Sequence, residues 1–200
     1  MRPSLILLHG WGFDATLWDA LAGALPDYPI VRWDRGYFGE PDHVQPEAAV
    51  VGVGHSLGSM LLADALPREA PLIAINGFDH FTGGDGVKLR VVERMQARFA
   101  DAPAEVLNDF RARCGAPPVQ DDQREAPLAY DLALLASHRA APTPRRVLSL
   151  QGGADPILPK SLRDQVFPGA VRATQNEAGH MLPVTHAAWC ADQIEAFLCR

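Results

Sequence analysis

The sequence predicts an α/β fold, a mostly parallel β-sheet flanked by helices, with a further set of helices inserted in the middle of the chain. Three observations predict it. Short, continuous apolar runs recur, as in strands buried on both faces of a parallel sheet. Most of these runs end in a glycine-bearing turn and then a stretch of helical spacing, the alternation of a layered α/β domain. From about residue 77 to 141 that alternation stops, and helical patterns joined by Gly and Pro take over.

The elements follow in order. Ser4-Leu5-Ile6-Leu7-Leu8 is an apolar strand, and His9-Gly10-Trp11-Gly12-Phe13 turns the chain at its end. A helix begins near Asp14, with Leu17, Trp18, Leu21 and Leu25 at helical spacing and Pro26 as the stop. Pro29 to Trp33 is the second strand, with a polar exit loop, Asp34 to Gly39. The third strand spans 49–53. The interval before it is too short for a full crossover helix, so one helix of the usual repeat is expected to be shortened or lost. Ser59 to Leu66 reads as helix, and Pro71 to Asn76 as the next strand.

Helices are then expected at Gly86 to Phe99, Ala104 to Cys114 and Leu128 to Arg139, with Val87, Val91, Met95 and Phe99 as an apolar stripe. This stretch reads as a helical lid, with ordinary crossover helices as the alternative. Arg146 to Leu150 resumes the strand pattern. A short helix at Pro159 to Phe167, a weak strand at Ala170 to Gln175 and a last helix from about Pro183 to Leu198 complete residues 1–200 as one domain.

Composition sets further bounds. The chain is 48% hydrophobic and 21% charged, as expected of a globular protein. Its net charge of −6 argues against a general nucleic-acid binder. No apolar run approaches the roughly 20 residues of a membrane span, and no secretory leader is recognisable before Ser4. Cys114, Cys190 and Cys199 are odd in number and lack metal-ligand spacing, which predicts a reducing, cytoplasmic setting.

Gly54-His55-Ser56-Leu57-Gly58 lies between the third strand and its helix. G-x-S-x-G in that context is a nucleophile elbow. The turn is so tight that the serine must take a strained conformation, and side chains at Gly54 and Gly58 would collide with neighbouring elements. Ser56 is therefore the candidate nucleophile, which needs a base and an acid to orient that base.

The chain order serine, acid, histidine selects His180 as base over His80, His138 and His186. His180 lies in a glycine-bearing loop between the weak late strand and the last helix. Asp155, in Gly152-Gly153-Ala154-Asp155-Pro156 at a strand end, is the preferred acid. Asp79 is its rival, and an Asx turn before Pro156 is the non-catalytic alternative. The oxyanion hole calls for two backbone amides, Leu57 after the nucleophile and Trp11 in the first turn, each supplying about 3 kcal/mol to the transition state. His9 and His55 read as structural. No metal-ligand spacing, phosphate loop or dinucleotide fingerprint appears, so neither metal nor cofactor is expected.

These motifs resemble the α/β-hydrolase superfamily along nearly the whole chain. Within it the sequence is similar to the pimeloyl-acyl-carrier-protein methyl ester esterases of biotin synthesis. The resemblance rests on His9-Gly10-Trp11-Gly12, Gly54 to Gly58, Gly152 to Ile157 and Ala178-Gly179-His180, with Phe81-Thr82 and Phe110 to Gly115 in the lid. It implies an α/β-hydrolase fold and a serine esterase, with Ser56, Asp155 and His180 as triad and Trp11 and Leu57 at the oxyanion hole. It also implies that Phe110, Arg111, Ala112, Arg113 and Cys114 line the acyl site together with Trp11, Ser56, Leu57 and His180. A broader carboxylesterase or acyl thioesterase would use the same triad, and a non-catalytic hydrolase-like binding protein is the reading from another class.

An acyl-carrier protein is acidic, so a partner face for it should be basic. Arg90, Arg94 and Arg98 fall at i, i+4 and i+8 on the first lid helix. Between Gly86 and Ala100, Lys88 and these arginines oppose only Glu93. Such a face can steer an acidic carrier. A solvated outer helix face is the alternative.

Overall fold

A computed structural model describes residues 2–46, 49–84, 86–119, 122–142 and 145–199. Residues 85, 120 and 121 of the predicted insertion lie outside the described residues.

Among the described residues six strands form one sheet: β1 (Ser4–Leu8), β2 (Ile30–Trp33), β3 (Val50–His55), β4 (Leu72–Ile75), β5 (Val147–Gly152) and β6 (Val171–Gln175). Their spatial order is β2-β1-β3-β4-β5-β6, and every pair is parallel. The sequence of each strand follows from its place. Central β1 and β4 are apolar, apart from Ser4, and buried throughout, because helices cover both faces of a parallel sheet. The outermost β6, Val-Arg-Ala-Thr-Gln, is polar and largely exposed, since an edge strand has one flank in water.

A 3₁₀ turn (Ala15–Trp18) and α1 (Asp19–Gly23) follow the first turn. Asp14 caps this turn by accepting from the Thr16 amide at 2.8 Å. Leu17, Trp18, Leu21 and Leu25 are all buried as their spacing predicts. Among the described residues no helix lies between β2 and β3. α2 (Leu57–Ala65) leaves the end of β3 and packs on β3 and β4.

Among the described residues three helices intervene between β4 and β5: α3 (Leu89–Asp101), α4 (Pro103–Cys114) and α5 (Glu125–Ser137). α3 begins three residues later than the sequence pattern suggests. The amides of Gly86 and Val87 instead close a turn onto Gly83 and Phe81. Its buried positions also differ from the expected stripe: Val92 and Phe99 are buried, whereas Val91 is 44% exposed. An i, i+4 series drifts around a helix of 3.6 residues per turn, so twelve residues carry it off any single face. α4 ends on Gly115 at φ 82, whose amide and that of Ala116 take the last carbonyls. α5 starts with Pro127 inside its first turn, where the missing amide is tolerated.

α6 (Lys160–Gln165) joins β5 to β6. The predicted last helix is two, α7 (Leu182–Thr185) and α8 (Ala187–Leu198), because His186 sits at φ −134, outside helical range. Among the described residues no helix is long and apolar enough to cross a membrane.

Candidate active site

The carboxyl ends of β1, β3, β4, β5 and β6 turn out at one edge of the sheet, the usual location of ligand sites in such folds. Ser56 leaves β3 at φ 53 and ψ −123, a left-handed conformation that few non-glycine residues adopt. Its neighbours make that conformation possible. A Cβ at Gly54 would lie 2.4 Å from the backbone of Ser59, and one at Gly58 would lie 2.1 Å from the Leu8 carbonyl oxygen. α2 thus presses directly on β1 and on the strand it leaves.

Asp155 and His180 are brought together. His180 Nδ1–H donates to Asp155 Oδ2 at 2.9 Å, with both side chains fully buried. The other oxygen of Asp155 accepts from the amides of Ile157 (2.7 Å) and Leu158 (3.3 Å). Burial alone would raise the Asp155 carboxyl. His180 and these two amides outweigh it and hold the group below the usual carboxylate range. With Nδ1 donating, His180 presents Nε2 as an acceptor. That atom is buried and has no hydrogen-bond partner among the described residues, Ser56 Oγ included.

The loops that carry Asp155 and His180 meet backbone to backbone. Cβ atoms at Gly152 and Gly153 would each lie 2.5 Å from a carbonyl oxygen, of Ala178 and Gly179 for the first and of Asn176 for the second. Amides of Gly153 and Ala154 donate to Gln175 and Ala178 at 2.8 and 3.0 Å.

The rival acid Asp79 is engaged elsewhere. It contacts the His80 Nδ1 at 2.8 Å and accepts the Phe167 amide at 3.0 Å. His138 pairs with Asp64 at 2.6 Å, and His186 Nδ1 meets the Thr185 hydroxyl at 2.8 Å. Neither reaches Asp155. His9 is buried, its Nε2 lying 3.1 Å from the Arg35 amide and 3.4 Å from Asp34 Oδ1. His55 is buried and donates from Nε2 to the His180 carbonyl at 2.9 Å. Burial, helped by the neighbouring His180, pulls His55 down to about 3 and keeps it neutral.

Leu57 opens α2, so its amide has no intrahelical acceptor. Neither it nor the Trp11 amide donates to a backbone carbonyl among the described residues. The Trp11 side chain is buried, donates from its indole to Leu128 of α5 at 2.8 Å, and meets Phe99 and Phe110 edge-on.

Residues 110–114 divide by helical geometry. The Phe110 ring lies 6.4 Å from that of His180 and 5.1 Å from Trp11. Arg111 donates to the Gly12 carbonyl at 2.6 Å and covers the Phe13 ring. Cys114 is buried, and burial followed by the nearby Asp155 charge pushes its thiol up. Ala112 and Arg113 are exposed and, together with Phe110 and with Val91, Arg94, Met95 and Arg98, line a groove of about 390 Å³ between α3 and α4. At 100° per residue five consecutive positions cannot share one face. Arg90, Arg94 and Arg98 are all exposed, and Arg98 pairs with Asp109 at 3.1 Å.

Two residues of this site are absent from the sequence reading. Leu107 of α4 packs against Gly12, where a Cβ would lie 2.7 Å from its Cδ1, and its spacing of i, i+3, i+7 with Phe110 and Cys114 is the available signal. Asn76 bonds both the acid loop and the base loop. Its signal is Asn-Gly at a strand end, which marks a left-handed backbone.

This parallel sheet, its flanking helices and the turn at Ser56 are those of the α/β-hydrolase fold. Solved structures agree: the chain aligns over its full length with the esterase EaEST from Exiguobacterium antarcticum, covering 92% of it with a TM-score of 0.78 at 13% identity. The enol-lactonase from Burkholderia xenovorans LB400 aligns as completely, with 92% covered, a TM-score of 0.74 and 15% identity. In sequence the chain resembles the pimeloyl-[acyl-carrier protein] methyl ester esterase of Aromatoleum aromaticum, at 28% identity across 97% of both chains. It also resembles the biotin biosynthesis bifunctional protein BioHC of Cellvibrio japonicus, at 28% identity over 60% of this chain, and spans only 28% of that protein's length. No family model matches the chain.

Proposed function

We propose that this chain is a serine-dependent carboxylic ester hydrolase that cleaves the methyl ester of a carrier-bound, medium-chain acid such as pimeloyl-acyl-carrier protein. The observation that carries the chemistry is the buried Asp155–His180 pair, at the same sheet edge as a serine held at positive φ. The similarity to a pimeloyl-[acyl-carrier protein] methyl ester esterase over 97% of both chains supports the substrate.

The residues divide the work as follows. Ser56 Oγ attacks the ester carbonyl while His180 Nε2 takes its proton. Substrate binding brings the two atoms into hydrogen-bonding contact, as catalytic pairs commonly tighten on binding. Asp155 stabilises the imidazolium and fixes its tautomer. The amides of Leu57 and Trp11 receive the oxyanion. His180 returns the proton to the departing methoxide, methanol leaves, and the acyl group remains on Ser56. Water, activated by the same histidine, then attacks the acyl-enzyme and releases the acid and Ser56. Helices α3 to α5 act as a lid over this site, and Arg90, Arg94 and Arg98 form a face for the acidic carrier.

The test is hydrolysis of pimeloyl-carrier-protein methyl ester by wild type and Ser56→Ala, with a short p-nitrophenyl ester alongside. Carrier-ester cleavage that disappears in the variant is the expected result. Serine-dependent cleavage of the short ester alone would replace this substrate with a broader carboxylesterase role. No turnover of either ester would remove the proposed activity.

A further inference from the structure

We infer that Asn76 is a positioning residue that sets His180 against Asp155, an inference that rests on the ester-hydrolase reading above. Asn76 follows β4 directly and is fully buried. Its Nδ2 donates to the carbonyls of Gly179 and His180, each at 3.0 Å. Its Oδ1 accepts from the Gly152 amide at 2.7 Å. One amide group therefore holds the loop that carries the base and the strand end that leads to the acid. Its own backbone is pinned too, since the Asn76 amide donates to Leu150 at 2.8 Å.

The chemistry explains why asparagine stands here. The link needs two donors toward carbonyls and one acceptor toward an amide, which a carboxamide offers and a carboxylate or hydroxyl does not. The backbone sits at φ 44, a left-handed conformation that asparagine tolerates better than most residues. His55 adds a second donor to the His180 carbonyl, from the elbow side, at 2.9 Å. His55 ties the base loop to the nucleophile, whereas Asn76 ties it to the acid. The Asp155–His180 bond spans two loops that touch through bare glycine backbone at Gly152 and Gly153. No side chain at those glycines can hold the spacing, and the Asn76 amide does so from below.

The experiment measures, across pH, the rate of inactivation by a serine-directed fluorophosphonate. It compares wild type, Asn76→Asp, Asn76→Gly and Thr82→Val, with melting temperatures for each and the downfield proton NMR signal of the His180 Nδ1–H. Asn76→Asp keeps the acceptor and loses both donors. Asn76→Gly removes the whole link while relieving the left-handed backbone, which guards against simple misfolding. Both are expected to react about 100-fold more slowly, the scale of a small misplacement of reacting groups. The acid limb of the Asn76→Gly profile should move to lower pH, because a displaced Asp155 stabilises the imidazolium less. The His180 proton signal should shift or broaden.

Thr82→Val deletes another inward bond, from Thr82 Oγ1 to the Ala136 carbonyl at 2.7 Å. It should lower the melting temperature without moving the acid limb. Asn76 variants that lose only stability, with limb and proton signal unmoved, would overturn the inference. A wild type inert to the probe whose His180 signal still depends on Asn76 would sink the hydrolase reading and leave the positioning intact. An inert wild type with no such dependence would sink both.

Discussion

The indole N–H of Trp11 donates to the carbonyl of Leu128 at 2.8 Å, fastening the first turn of the core to α5. A second fastening lies nearby on the same helix. Asp131, fully buried, takes a bidentate pair from Arg35 at 2.6 and 2.7 Å and a hydrogen bond from the Tyr37 hydroxyl at 2.5 Å. α5 is thereby held against both loops that leave the strands β1 and β2, and Ser56 beneath is only 6% exposed.

That cluster predicts a stability effect. Asp131→Asn leaves the Arg35 guanidinium without its charge partner in a partly buried place. Breaking a buried pair from one side costs about 3 kcal/mol. Urea denaturation should show a loss of that order, and a loss below about 1 kcal/mol would mean that solvent already screens the pair.

The elbow predicts two effects of opposite sign. Gly58→Ala puts a methyl group 2.1 Å from the Leu8 carbonyl oxygen, where backbone must move, so a loss of at least about 3 kcal/mol is expected. Ser56→Gly should instead be more stable than Ser56→Ala by about 1 kcal/mol, since glycine accepts φ 53 without strain. Thermal unfolding of wild type and the three variants side by side checks both signs.

Asp34 predicts a pH dependence. Its partial burial would raise the carboxyl, but His9 and the amides of Gly36 and Ala15 hold it down at about 2. A depressed folded value means stability present above the ordinary carboxylate value of about 4. It is lost as pH falls from there through about 2. The stability difference between wild type and Asp34→Asn should therefore be constant near neutrality and narrow across that interval. Denaturant titrations from pH 7 to the acid limit measure it, and a difference that does not change with pH would refute the linkage.

Much of this was legible because local and global demands coincide. Buried parallel strands must be continuous apolar runs, so β1, β3, β4 and β5 announce themselves in sequence. The elbow is legible because only glycine fits at Gly54 and Gly58. The order of Ser56, Asp155 and His180 picks out two residues, Asp155 and His180, whose side chains are hydrogen-bonded to each other. What stayed hidden depends on three-dimensional neighbours. The α3 stripe misled because Val91 and Val92 are chemically alike, and only packing against the other helices decides which is buried. Asn-Gly at a strand end marks the backbone of Asn76 but not its side-chain partners, which lie 76 to 104 residues away in sequence. Contiguous residues 110–114 read as one lining, but helical rotation sends Ala112 and Arg113 outward.

The basic face of α3 predicts a charge effect whose sign can be inverted. Among the described residues Arg98 is paired with Asp109, while Arg90 and Arg94 have no ion pair. If this face receives an acidic carrier, the two unpaired arginines contribute most of the attraction. Arg90→Ala and Arg94→Ala should each lower kcat/KM for the carrier-bound ester by about 3- to 5-fold at low salt, and by less as salt screens the face. Asp109→Asn removes the opposing charge and releases Arg98, so it should raise the same constant by a similar factor. General damage to the helix would lower activity in all three variants and would affect the short p-nitrophenyl ester equally. A carrier therefore leaves a specific mark: opposite changes for arginine and aspartate variants, largest with the carrier ester and shrinking with ionic strength. Equal losses on both esters, unaffected by salt, would assign these arginines to solvation of an outer helix face.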